Sequence, residues 1–135
     1  MKEIVLKAQV DNLYKVLDFV EDELDLRNCE PKAKTQVLVA VEEIFVNIAS
    51  YAYEGGEGEV EIRMSFDADS NVVSVIFIDS GIKYNPIEKE DPNIKLSADK
   101  RPIGGLGIYI TKKFFDELIY DYKSGKNILT MKKKM

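Results

Sequence analysis

The chain has 135 residues, a formal charge of −5 at pH 7, one cysteine and no histidine. That length suits one domain with a single core, burying about two-thirds of its unfolded surface. A net negative charge argues against nucleic acid as the main partner, because phosphate contacts need clustered Lys and Arg. The missing histidine removes imidazole metal sites, Ser-His-Asp and Cys-His hydrolases and any phosphohistidine relay within the chain. Any general base must therefore be a carboxylate, Lys or Tyr.

Lys132 to Lys134 form the only basic run, read as a solvated tail. Hydrophobic content of 45% beside 32% charge is that of a soluble globular protein. No apolar run approaches the roughly 20 residues that span a bilayer, and no signal peptide opens the chain. Cys29 cannot form an intrachain disulfide, which suits a reducing cytoplasm, and is read as a buried or half-buried structural thiol.

In chain order, Lys2 to Ala8 alternates Ile4, Leu6 and Ala8 against polar neighbours and is expected to be a strand. Asp11 to Leu24 carries Leu13, Val16, Leu17, Val20 and Leu24 at helical spacing. After a polar loop, Pro31 opens a helix that runs to about Ala52, where its missing N–H has no intrahelical partner. Val37, Val41, Ile44, Phe45, Ile48 and Ala52 form one apolar face of it. Glu54 to Gly58 breaks the chain. Val60, Ile62, Met64 and Phe66 then alternate strictly with polar residues, which predicts a strand with one wet face.

Asp69–Ser70–Asn71 turns into Val72 to Ile78, a more apolar and so more central strand. Residues 80 to 102 form the one long loop. A helix is expected from about Gly104 to Glu117, then strands Ile119 to Lys123 and Asn127 to Lys132 around a Ser124–Gly125–Lys126 turn. Antiparallel strands with helices segregated to one side make an α+β two-layer sandwich, one domain over residues 1–135.

Three segments carry chemistry. Glu43 and Asn47 are four residues apart, one helical turn, so they project from the same flank. A carboxylate one turn from a carboxamide can hold an attacking hydroxyl beside a metal bound through the amide oxygen; the plainer alternative is a solvent-facing polar pair. Asp79 ends an apolar strand with Gly81 two residues on. Such a carboxylate can accept a hydrogen bond from an adenine amino group while glycine admits the ring; a turn-initiating cap is the alternative. Gly104–Gly105–Leu106–Gly107–Ile108 opens a helix, whose unpaired N–H groups and dipole suit a polyphosphate; a glycine hinge is the alternative. It is neither a Walker loop nor a Rossmann fingerprint, because neither a Gly-Lys-Ser/Thr nor a parallel βαβ unit accompanies it.

In this order and spacing, Val41 to Asn47 resembles the N box of the Bergerat-fold ATPases, the family of gyrase B, MutL and histidine-kinase catalytic domains. Asp79 to Pro86 is similar to its first glycine box, and Gly104 to Glu117 to its second. Within the family the chain resembles the compact bacterial anti-sigma-factor serine/threonine kinases, well over residues 31–135 and loosely before. A histidine-kinase fragment fits less well, since there is no phosphoacceptor histidine and the chain reads as complete.

The resemblance implies ATP and Mg²⁺ as cofactors. Glu43 would be the general base toward a substrate serine, Asn47 the Mg²⁺ ligand and Asp79 the reader of adenine. Gly81, Gly104, Gly105, Leu106, Gly107 and Ile108 would shape the pocket, and Thr130 would place a hydroxyl near the base. Lys100 and Arg101 would reach the γ-phosphate. The implied partners are an anti-anti-sigma protein of the STAS type, a sigma factor and a second copy of the chain, in the cytoplasm, away from membrane and nucleic acid. The alternative function is an ATP- or ADP-dependent partner-switching binder without catalysis. Three departures stand out: Lys83 where the family usually has its second glycine, Tyr51 where relatives often carry a polar phosphate contact, and acidic lid residues Glu88, Glu90 and Asp91.

Overall fold

A computed structural model describes residues 1–88 and 105–135. Strand β1 (Lys2–Lys7) leads through a 3-10 turn (Val10–Asn12) into helix α1 (Leu13–Leu26). Helix α2 (Pro31–Asn47) follows, continued by a π-helical turn (Ile48–Ala52). Strands β2 (Glu59–Asp67) and β3 (Val72–Asp79) form a hairpin, and a 3-10 turn (Pro86–Glu88) ends the first described stretch. Helix α3 (Gly105–Phe114) precedes strands β4 (Glu117–Lys123) and β5 (Lys126–Lys134).

The five strands lie in the order β1-β2-β3-β5-β4, and every neighbouring pair is antiparallel. The α+β sandwich expected from the pattern is the architecture found, with β3 in the middle of the sheet as its apolar composition implied. Val60, Ile62 and Met64 of β2 and Val73, Val75 and Phe77 of β3 face the helices and are buried. From the helical side Val16, Val20, Leu24, Val37, Val41 and Phe45 close the core. Each fully buried apolar side chain of this size contributes about 1.5–3 kcal/mol. Lys34 on α2 bridges Glu21 (2.9 Å) and Asp25 (2.8 Å) on α1, tying the two helices at their surface.

The β4–β5 turn has Ser124 at φ 55° and Gly125 at φ 76°, the two left-handed residues that match a tight hairpin to the twist of its strands. The wet face of β2 carries Glu61, Arg63 and Ser65, as expected. Cys29 is a free, half-buried thiol, and burial, then the Asp25 charge, pushes it up from its ordinary value.

Lys132 to Lys134 are not a solvated tail: they continue β5 in register with Ser74, Val73 and Val72 of β3, and the Lys133 ammonium donates to the Phe114 carbonyl (2.7 Å). Helix α1 is also shifted by two residues, and the largest other differences lie around α3. Helix α3 stops at Phe114 rather than Glu117. Phe115 is drawn into the core, and the Asp116 N–H leaves the helix to donate to the Lys132 carbonyl (2.9 Å). Glu117 already pairs with Lys132, so β4 starts two residues early. The second helix does reach Ala52, but its last turn, Ile48–Ala52, is π-helical, with the wider i→i+5 pattern in place of the α-helical one. Ile48 and Ala52, expected on the core face, are consequently half-buried beside a cavity.

Candidate functional site

That cavity, of about 380 Å³, lies between the helical layer and the ends of β3, β4 and β5. Its helical wall is Ile44, Asn47, Ile48, Tyr51 and Ala52. Its floor is Phe77, Leu129 and Ile108, and its far wall is Ile82, Tyr84, Pro86 and Tyr120. Asp79, Asn127 and Asn47 supply polar groups to a largely apolar slot. This is the size and character of a small-molecule site, concave and apolar with a few convergent polar atoms.

Asp79 is 7% exposed at the end of β3, on the face that looks toward the helices. Its Oδ1 accepts from the Gly81 N–H (2.9 Å) and from the Asn127 amide (3.0 Å). Among the described residues no donor is bonded to Oδ2, which remains for a ligand. The turn-initiating role thus falls to Oδ1 alone, and the second oxygen of the carboxylate is not needed for it.

Gly81 is needed for a close approach. A Cβ there would lie 2.6 Å from the Ala52 carbonyl carbon, while the neighbouring Ile82 N–H donates to the Ala52 oxygen (2.8 Å). The π-helical turn is what carries the Ala52 carbonyl onto this loop. Tyr53 adds a second tie, its hydroxyl donating to the Glu59 carbonyl and accepting from the Ser80 N–H (2.9 Å). Burial pushes the Tyr53 phenol up from its ordinary value, as it does that of Tyr120, with the Asp79 charge acting in the same direction on both. Gly81→Ala is expected to cost about 1–3 kcal/mol of stability, since the obstacle is backbone rather than a side-chain tip. Urea unfolding checks it, and an unchanged midpoint would show that the loop moves freely from α2.

Asn47 lines the cavity from the end of α2, and Glu43 stands one turn before it, half-buried. Glu43 meets α3 at Gly107, where a Cβ would fall on the carboxylate, 2.7 Å from its Cδ. Only a residue without a side chain lets the helix sit this close to the acid. Ile108, next in line, is buried on the cavity floor, and Thr111 closes the turn by donating its hydroxyl to the Gly107 carbonyl (2.9 Å). The polar pair Glu43–Asn47 is therefore not a solvated flank but a partly covered edge of the cavity.

Gly105 and Leu106 begin α3. Lys100, Arg101 and Gly104 lie outside the described residues, as do Glu90 and Asp91. Thr130 is a correction. Along β5 the buried residues are Asn127, Leu129 and Met131, so Thr130 points to the opposite face of the sheet, paired with Ile76 and Ile119. The cavity residue of the last strand is Asn127, 6% exposed. The sequence places it at the start of the last strand without singling it out, but counting back in twos from Met131 puts it inward.

Comparison with known proteins decides the family. Residues 6–133 match the family model described as the histidine kinase-like ATPase domain. The chain belongs to that family. Among relatives of the histidine kinase-like ATPase domain, the serine/threonine-protein kinase BtrW of Bordetella bronchiseptica is 28% identical over 93 residues. The match spans 69% of this chain and 65% of BtrW, so less than two-thirds of that protein is covered. A chain in the crystal structure of the SiaB-SiaC complex from Pseudomonas aeruginosa superposes with a TM-score of 0.59, over 96% of this chain and 88% of that one. At 14% identity this is a likeness of fold. No helix among the described residues is long and apolar enough to cross a membrane.

Proposed function

We propose that the chain is an ATP-dependent serine/threonine-protein kinase of the anti-sigma type. It transfers the γ-phosphoryl group to a serine of an anti-anti-sigma, STAS-type partner and thereby regulates a sigma factor. One observation carries the reading: Asp79, Asn47 and Ile108 converge on one apolar cavity while Glu43 flanks it behind Gly107. The similarity to a named serine/threonine kinase supports the reaction type.

Adenine enters between the Ile82–Tyr84 wall and the Ile48–Ala52 turn, with its amino group donating to Asp79 Oδ2. The phosphates run toward the N-terminal end of α3, where free N–H groups and the helix dipole favour negative charge. A single amide oxygen such as that of Asn47 fits a Mg²⁺ carried by nucleotide phosphates, an ion that keeps several waters and takes one or two protein ligands. Held there by Asn47, the ion would supply positive charge to the phosphates. The serine Oγ attacks the γ-phosphorus, the bond to the β–γ bridging oxygen breaks, ADP leaves, and Glu43 takes the hydroxyl proton. Lys100 and Arg101 supply positive charge to the γ-phosphate in this scheme. The cytoplasm is the compartment that fits such a partner set.

The test is incubation with γ-labelled ATP and STAS-type domains encoded nearby. Label on a partner serine is the expected result. ATP binding without transfer to any partner serine would instead make the chain a nucleotide-dependent binding switch. Assembly gives a separate expectation. Val5, Val10 and Tyr14 on β1, the 3-10 turn and α1 are 54%, 52% and 62% exposed, apolar surface suited to a second copy. A two-fold pair is the commonest oligomer, and sedimentation at tens of micromolar is expected to show it. Monomer alone, with and without ATP, would contradict it.

A further inference from the structure

Asn127 spends its whole hydrogen-bonding capacity inside the protein. Its Nδ2 donates to Asp79 Oδ1 (3.0 Å) and to the Ile82 carbonyl (2.9 Å). Its Oδ1 accepts from the Tyr84 N–H (3.1 Å) and from the Tyr120 hydroxyl (2.5 Å). Two donor hydrogens and two acceptor lone pairs are all that a carboxamide has. The partners also fix its orientation, because the flipped amide would set oxygen against Asp79 and Ile82 and N–H against N–H at Tyr84. One buried side chain thus joins the end of β3, the start of β5, β4 and the loop after Asp79.

We infer that Asn127 is the positioning residue of the base pocket: it holds Asp79 with one oxygen turned to the ligand and fixes the Ile82–Tyr84 wall beside it. The inference rests on the adenine-nucleotide reading of the cavity. Its physical core is that the group beside the carboxylate donates and never ionises. A second carboxylate at position 127 would face Asp79 Oδ1 and the Ile82 carbonyl with an acceptor at each. Two acids at this separation cannot both ionise readily, so one shared proton would restore the donor at low pH and be lost at high pH. The surrounding titratable and charged groups are Tyr53 after α2, Tyr84, Lys83 and Glu88 on the loop, and Tyr120 and Tyr122 on β4. All of them are common to wild type and variant.

The experiment is calorimetric titration of ADP into the wild-type chain and into Asn127→Asp between pH 5.5 and 8.5. The ratio of the two affinities cancels the nucleotide's own titration. The inference predicts near-equal affinities at the acid end and a loss of about tenfold or more at the alkaline end, the scale of one hydrogen bond to a charged group. A ratio that stays constant with pH, even with a lowered unfolding midpoint, overturns it, because a purely structural residue would give that result. If Asn127→Asp does not fold, Asn127→Ser replaces it: its hydroxyl satisfies one partner, and about tenfold weaker ADP binding at every pH is expected, with unchanged affinity overturning the inference. A wild-type chain that binds no ADP at any pH overturns the nucleotide reading itself, and this inference with it.

Discussion

Glu43→Ala is expected to lower phosphorylation of a partner serine by about 10²–10⁴-fold, the usual contribution of a positioned general base. ATP affinity should barely change. Glu43 is not among the residues that line the cavity; it sits at the edge, behind Gly107 and one turn above Asn47. In the proposed scheme its carboxylate meets the incoming hydroxyl rather than the bound nucleotide. Initial rates with γ-labelled ATP, set beside calorimetric affinities for the same variant, separate the two effects. A variant that phosphorylates as fast as wild type would show that this carboxylate takes no proton in the reaction.

Asp79→Asn acts on binding rather than transfer. The oxygen of the new amide would keep the bonds from Gly81 and Asn127, which hold it in place. Its NH₂ would then occupy the position of Oδ2 and set a donor against the amino group of adenine. One lost hydrogen bond to a charged group is worth about 1.5–3 kcal/mol, or roughly 10- to 150-fold in affinity. The fold should survive, because the bonds within the protein are retained. Unchanged ATP affinity in a folded variant would remove the adenine-reading role from Asp79.

The fold was largely legible because most elements follow one period. Val60, Ile62 and Met64 alternate in a strand, and Val16, Val20 and Leu24 repeat at helical spacing; each set is buried as that spacing implies. Period failed where tertiary hydrogen bonds took over. At Asp116 a sheet partner ends α3 at Phe114, three residues before the expected end at Glu117. At Ile48–Ala52 the helix widens into a π-turn whose Ala52 carbonyl accepts from the Ile82 N–H, and Ile48 and Ala52 line the cavity. Neither event leaves a local mark in composition.

The site divides in the same way. Glu43, Asn47, Asp79, Gly81 and Gly107 stood out by residue type within short motifs, and in the structure Asn47 and Asp79 line the cavity while Gly107 packs on Glu43 and Gly81 on Ala52. Thr130 was misplaced by position along the last strand, one step out of phase with Asn127 and Leu129. The walls formed by Ile82, Tyr84 and Tyr120 exist only after β4 and β5 pair and the loop folds back, so no local pattern announces them.

The most direct test of the account is calorimetric titration of the wild-type chain with ATP, with and without Mg²⁺, and with GTP. The account predicts saturable, one-to-one binding of ATP that Mg²⁺ strengthens, and much weaker binding of GTP, whose 6-oxo group would meet the Asp79 carboxylate with an acceptor. No saturable binding of ATP, or equal binding of ATP and GTP, would contradict it.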